Sequence, residues 1–301
     1  MIGVYCLQVL VRGTSYERTY QSAVAFMFGF EPSIDISRFD GVEMADNNTL
    51  CTSETGQSCN CRAIDHRVLD IFSTTFRQSY AVAGNPQSQR VAESLATVVS
   101  KLPRMSHVFD VAMTHFCHRQ QVDACYGPQF ARDVFNVIAD VGRKAAVNSQ
   151  YHILTQLKFL PLLYEIVQRM KLQRDSSLST KRQDSPSFVL YSGHDSTIEP
   201  LAMALGFSSG AWPGYASRIV FELYQSKSTD SRHAEFFTRI LYNGKVVTNQ
   251  ALFSKGATGS SSWEMVRLNS FVDFVEQRTF SYGTMKSASY SEACQQMFFE
   301  V

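Results

Sequence analysis

Short apolar runs that end in glycine or polar clusters alternate with longer stretches of helical periodicity, a pattern that predicts an α/β chain. Met1 to Val11 is apolar but lacks a basic start and a cleavage site, so it reads as a strand, not a secretory leader. Thr14 and Glu17 have capping-box spacing ahead of a helix over Ser15–Phe28, with Tyr20, Val24 and Met27 predicted on its buried face. Gly29 stops that helix and Pro32 follows. From Ile64 to about Arg174 the period is mostly helical: Val68, Ile71, Phe72 and Phe76, then Val91, Leu95, Val98 and Val99, then Val108, Val111, Ala112 and His115. Further helices are predicted over Phe130–Val141 and Ile153–Leu172. Phe188–Tyr191 reads as a short buried strand broken by Ser192-Gly193. Ser196 or Thr197 is placed to cap a helix carrying Ile198, Leu201, Ala202 and Leu205, with Gly206 as its stop. Strands follow over Arg218–Tyr224 and Phe236–Tyr242, and Asn243-Gly244 is a strong hairpin signal before Val246–Thr248. Trp263–Phe274 reads as a last helix.

These elements predict an α/β fold, a mixed sheet flanked by helices, with an inserted α-helical cap domain. Residues 1–60 and 185–301 would form the core and 61–184 the cap, with a solvated linker over Arg174–Ser187. His152, Lys158 and Tyr164 on the cap helices read as surface or boundary residues, not ligands. The 301 residues, 45% hydrophobic, suffice for one large or two modest domains. A formal net charge of +1 argues against a nucleic-acid binder working through a basic face. No run approaches the roughly 18 uninterrupted apolar residues of a membrane helix, so no membrane contact is expected of this chain.

The chemistry concentrates in two strand–turn–helix stretches. His194 and Asp195 fall between a strand's carboxyl end and a helix's amino end, where open α/β sheets bind ligands and free N–H groups favour anions. An imidazole there can meet an oxyanion, and an adjacent carboxyl can give its proton to a leaving group. Taken alone, the pair reads as a capped core histidine beside an N-cap aspartate. In the second stretch, Arg12 ends the first strand, where a guanidinium fork can hold phosphate.

Together, Arg12-x-Thr14-x-x-x-Arg18-Thr19-x-x-Ser22-Ala23 and Ser192-x-His194-Asp195 resemble the histidine acid phosphatases, a family of acid phosphatases and phytases. Further stretches, among them Cys59-Asn60-Cys61, His115-Phe116-Cys117-His118 and Arg239–Gly244, are similar to the members that remove phosphate from xylose in the proteoglycan linkage region. The resemblance implies hydrolysis of a phosphorylated small molecule or glycan through a phosphohistidine, without metal or other cofactor. It implies that Arg12 grips phosphate, His194 hydrogen-bonds it, and Asp195 protonates the leaving oxygen and then activates water. Arg18 would support the site from its helix. The family's nucleophile stands in Arg-His-Gly-x-Arg-x-Pro, ahead of the Arg12 segment. The one Arg-His pair here, Arg232-His233, continues into Ala234-Glu235 and lies far downstream. Losing such a nucleophile costs about a millionfold in rate. The expectation is an incomplete chain; the alternative is a truncated, inactive phosphatase-like binding protein that keeps the anion pocket.

Cys6, Cys51, Cys59, Cys61, Cys117, Cys125 and Cys294 have no standard zinc spacing and no Cys-x-x-Cys pair, which favours disulfides over a zinc module. Cys117–Cys125 is the most plausible local bridge and Cys6 the thiol left over. Disulfides imply an oxidising compartment, and Asn47-Asn48-Thr49 is a glycosylation sequon. With the family, these place the expected location in the secretory pathway: Golgi lumen, lysosome or secreted.

Overall fold

The computed structural model describes residues 9–30, 41–45, 50, 71, 74–75, 114, 128–179, 185–227, 234–248, 265–276, 280–282 and 285–288. All seven cysteines, the Asn47 sequon and most of the helices expected over 64–113 lie outside the described residues.

The fold is mixed α/β. In chain order the elements are β1 (Val9–Gly13), α1 (Glu17–Phe30), β2 (Glu43–Met44), α2 (Pro128–Ala146), α3 (Ser149–Leu178), β3 (Phe188–Ser192) and α4 (Asp195–Ala204). Then come β4 (Ile219–Gln225), β5 (Phe236–Tyr242), β6 (Lys245–Val246), β7 (Val266–Arg267), α5 (Leu268–Glu276), β8 (Phe280–Tyr282) and β9 (Met285–Ala288). The chain divides into two compact units: residues 1–65, 153–207 and 213–301 form one, and residues 66–152 and 208–212 the other. The long helix therefore belongs from Ile153 onward with the strands, whereas the sequence boundary put residues up to 184 in the cap. It also runs on to Leu178, into the stretch read as linker.

In the first unit β2, β1 and β3 pair in parallel in that order, with Arg12 opposite Tyr191 and Gly13 opposite Ser192. Alternation then divides the sheet. Val11, with Leu190 and Phe188, packs on Ala23 and Met27 of α1. Arg12 and Tyr191 point to the other face, towards α3. The buried face of α1 is Thr19, Ala23 and Met27; Tyr20, expected inside, is 48% exposed. Small residues there let the helix lie close to the sheet, which a tyrosine would prop apart.

The main core joins Leu163, Ile166, Val167 and Met170 of α3 to Leu201 and Leu205, Ile240, Val266 and Phe271. Lys158, expected at the surface, is buried, while Tyr164 is half exposed; the side chain of His152 lies outside the described residues. β4, β5, β6 and β7 form an antiparallel sheet, and Asn243-Gly244 makes its tight turn with positive φ at both residues. Val266–Arg267, predicted as helix, is a short strand that pairs with β5. Helix α4 ends as the sequence predicts. Gly206 takes positive φ, its N–H donates to Met203 O at 3.0 Å, and Phe207 N–H donates to Ala202 O at 3.0 Å, the two bonds of a Schellman motif.

In the second unit Asn148 caps α3, its Oδ1 accepting from Gln150 N at 2.9 Å and Tyr151 N at 3.1 Å. Gly142 and Gly210 meet so closely that a Cβ on Gly142 would stand 2.6 Å from the Gly210 carbonyl.

Candidate functional site

The carboxyl ends of β1 and β3 lie side by side, and the residues that follow them meet at the amino end of α4. His194 is the N-cap of α4, so the helix starts at Asp195, earlier than a Ser196 or Thr197 cap would allow. Thr197 instead stands at the third helical position and accepts the His194 N–H at 3.2 Å. Gly193 is required by that contact: a Cβ there would sit 2.9 Å from Thr197 Oγ1. Ser192 Oγ donates to Thr19 O at 2.7 Å, tying the turn to α1.

His194 is 7% exposed, and both ring nitrogens have partners. Donor order fixes its tautomer. Thr19 Oγ1 donates to Tyr16 O at 2.7 Å, so the 2.7 Å contact between the two threonine hydroxyls is a donation from Thr14. Thr14 Oγ1 then accepts from His194 Nε2 at 3.0 Å. A guanidinium can only donate, and Arg18 Nη2 lies 3.3 Å from Nδ1, which must carry the lone pair. Both ends of the chain give the same answer: neutral imidazole with its hydrogen on Nε2. Tyr16 packs T-shaped against the imidazole, with centroids 5.2 Å apart, and Arg18 lies over the Tyr16 ring at 4.4 Å. Thr14 was read as half of a capping box with Glu17. Its oxygen accepts from the imidazole and its hydrogen goes to Thr19 instead, and Glu17 accepts from Gln21 at 2.8 Å.

Asp195 occupies the first turn of α4, where the helix's positive end favours a carboxylate, and Oδ1 accepts the Ser196 N–H at 2.7 Å. Ser196 Oγ beside it is buried without a partner among the described residues.

Arg12 stands on the face of β1 away from Val11 and α1. One terminal nitrogen, Nη1, donates to both Glu165 oxygens at 2.7 and 2.8 Å. Arg169, one turn further along α3, donates to Glu165 Oε1 from Nε at 2.9 Å and Nη2 at 2.7 Å, and Tyr191 Oη donates to it at 2.8 Å. Burial alone would push the Glu165 carboxyl up, but the hydrogen bonds from Arg169 and Tyr191 and the nearby Arg12 charge outweigh it and hold it below the ordinary range. Burial, then the Glu165 carboxylate, pushes the Tyr191 phenol well up. Burial would lower Arg169, but Glu165 raises it further. Arg12 Nε is buried, donates to nothing among the described residues, and lies 3.8 Å from Glu43, outside hydrogen-bond range.

The residues expected to carry the chemistry therefore form two clusters. His194, Arg18 and Thr14 touch one another; Arg12 makes no hydrogen bond or ion pair to His194 or Asp195 among the described residues. Glu165, Arg169 and Tyr191 were not anticipated. The available signal was the i, i+4 spacing of Glu165 and Arg169. Among the described residues no group of histidine, cysteine, aspartate or glutamate is arranged to hold a metal ion, and no helix is long and apolar enough to cross a membrane.

Residues 152–243 match the histidine phosphatase superfamily (branch 2). Over 96% of its length the chain is 29% identical to 2-phosphoxylose phosphatase 1 of Danio rerio, and over 95% it is 28% identical to that of Homo sapiens. It spans 60% and 58% of those relatives' lengths. A shorter stretch, 21% of the chain, is 41% identical to prostatic acid phosphatase of Rattus norvegicus. Among solved structures, a phytase from Citrobacter braakii superposes with a TM-score of 0.51 over 91% of this chain and 79% of its own, at 16% identity, a likeness of fold.

Proposed function

We propose, on the premise that residues 152–243 are a histidine phosphatase superfamily (branch 2) segment, that this chain carries the phosphate-holding and proton-transferring part of a phosphomonoesterase site. The observation that carries the reading is His194-Asp195 at the start of α4, beside the end of β1, with the imidazole buried and its tautomer fixed. Arg12 supplies the cation for the phosphate. Asp195 gives its proton to the leaving oxygen as the phosphorus–oxygen bond breaks and the phosphoryl group passes to the histidine that the family resemblance implies as nucleophile; it then takes a proton from the water that attacks the phosphohistidine and frees phosphate. The substrate class is a phosphorylated small molecule or glycan. The similarity to 2-phosphoxylose phosphatase 1 favours the 2-phosphate of a xylose within the glycosaminoglycan linkage region. The cysteine set and the Asn47 sequon favour a secretory compartment, the Golgi lumen among them, and a disulfide-bonded glycoprotein.

The test is hydrolysis of p-nitrophenyl phosphate and of a 2-phosphoxyloside at acid pH by the protein from its source, with and without Asp195→Asn. Loss of about 10²–10⁴-fold in turnover is expected from removing the general acid. Turnover that ignores Asp195→Asn sinks the site assignment. Phosphate binding without turnover in the unaltered protein favours the non-catalytic, phosphatase-like binding protein.

A further inference from the structure

We propose that Glu165 is the positioning residue for Arg12, holding the guanidinium by one terminal nitrogen so that its side-on edge, Nε with Nη2, is kept for an oxyanion. The inference rests on the phosphatase reading and adds to it a residue on a distant helix.

A guanidinium has two forks, one across its two terminal nitrogens and one along Nε and the terminal nitrogen on the same side. Glu165 consumes the first, because Nη1 bridges both carboxylate oxygens. The second carries the buried Nε that donates to nothing among the described residues. Glu43 forms a long ion pair with that edge at 3.8 Å, and its side chain is 64% exposed, so it can yield to an arriving anion.

Glu165 is itself fixed. Arg169 and Tyr191 crowd donors onto Oε1, and Tyr191 packs against the main core. Glu43 balances the cluster as it stands; once its exposed carboxylate swings away, Arg12, Arg169 and Glu165 are left with one net positive charge. A doubly charged oxyanion on the free edge thus meets a cation already oriented, and little of its binding energy goes into ordering the side chain.

The experiment follows inorganic phosphate binding to the full chain by nuclear magnetic resonance, reading the Arg12 Nε–H signal, identified by its loss in Arg12→Lys. In the unaltered protein phosphate should shift that signal. Glu165→Asp keeps the charge but withdraws the carboxylate by one methylene. It should weaken phosphate binding about tenfold and broaden or move the Nε–H signal before phosphate is added. Tyr191→Phe leaves every charge in place and should act in the same direction by a smaller factor; it carries the test if Glu165→Asp does not fold. If both variants that fold bind phosphate as the unaltered protein does while Arg12→Lys is weakened, Glu165 does not position Arg12 and the phosphatase reading stands. If the unaltered protein binds no phosphate, or Arg12→Lys binds it equally well, the phosphate role of Arg12 falls and this inference with it.

Discussion

Glu165 and Glu222 each accept hydrogen bonds from an arginine and a tyrosine, and the two clusters differ in what surrounds them. On β4 and β5, Arg239 Nε donates to Glu222 at 2.6 Å, Tyr224 Oη donates to Glu222 at 2.9 Å, and Arg239 also reaches Tyr224. One arginine there answers one glutamate, directly across an antiparallel pair. At Glu165 two arginines answer one glutamate, the partners come from β1, α3 and β3, and the carboxylate is 20% exposed against 32% for Glu222. The first arrangement is closed, with its charges balanced locally. The second has an extra arginine whose Nε makes no hydrogen bond among the described residues and is paired only loosely with the exposed Glu43, at 3.8 Å. Residue types that match in composition thus do different work according to the count and origin of their cations.

The largest separation between the two should come from deleting each carboxylate. Glu165→Leu strands two partly buried guanidiniums and should cost about 3 kcal/mol in urea denaturation, the low end for breaking a buried pair. Glu222→Leu should cost under about 1 kcal/mol, as a surface pair does. Equal losses would mean that the Glu165 cluster is no more than a surface network.

Acid should sharpen the same contrast. The folded-state pKa of Glu165 is depressed, so its contribution is fully present above the ordinary 4.5 and fades as pH falls through the lower folded value. Below pH 4.5 the unaltered protein should therefore lose stability more steeply than Glu165→Gln, which lacks that proton linkage. Parallel pH–stability curves would show that Glu165 is not coupled to folding.

Tyr191→Phe should cost about 2 kcal/mol, since it removes the donation to Glu165 and the bond accepted from Arg169 while the packing is retained. Alkali reads the same residue. The phenol's pKa is raised on folding, so its contribution is complete below the ordinary 10 and is lost as pH rises towards the folded value. In an absorbance titration at 295 nm, one of the 13 tyrosines should ionise with unfolding, and Tyr191→Phe should remove that step. Tyr224→Phe should have the smallest effect on stability, a few tenths of a kcal/mol.

The turn holding His194 and Asp195 was legible because strand, break and helix follow one another within a short stretch, and each boundary has a local cause. The Asn243-Gly244 hairpin and the Gly206 stop were legible for the same reason: positive φ leaves a mark on composition. Glu165 was not, since its bond to Arg12 spans 153 positions and no local pattern encodes it. The face of α1 was misjudged because periodicity fixes the spacing of buried positions but not which small or hydroxyl residues the sheet admits. Thr14 matched a capping box, yet a longer-range partner, the His194 imidazole, donates to its oxygen. Lys158 shows the limit of reading charge as exposure: it is buried, its ammonium 5.8 Å from the Phe159 ring centroid.

The bond between Arg12 and Glu165 also constrains inheritance. Each residue is tolerable inside the protein chiefly while the other is present, so a lineage that loses one passes through a form with an uncompensated charge. Positions 12 and 165 should therefore drift as a pair, with Arg169 shielding the transition because it can hold the carboxylate alone. The reverse loss, of Glu165 with both arginines kept, is sheltered less, by the exposed Glu43 at 3.8 Å from Arg12, and the two histories are expected to be unequally common.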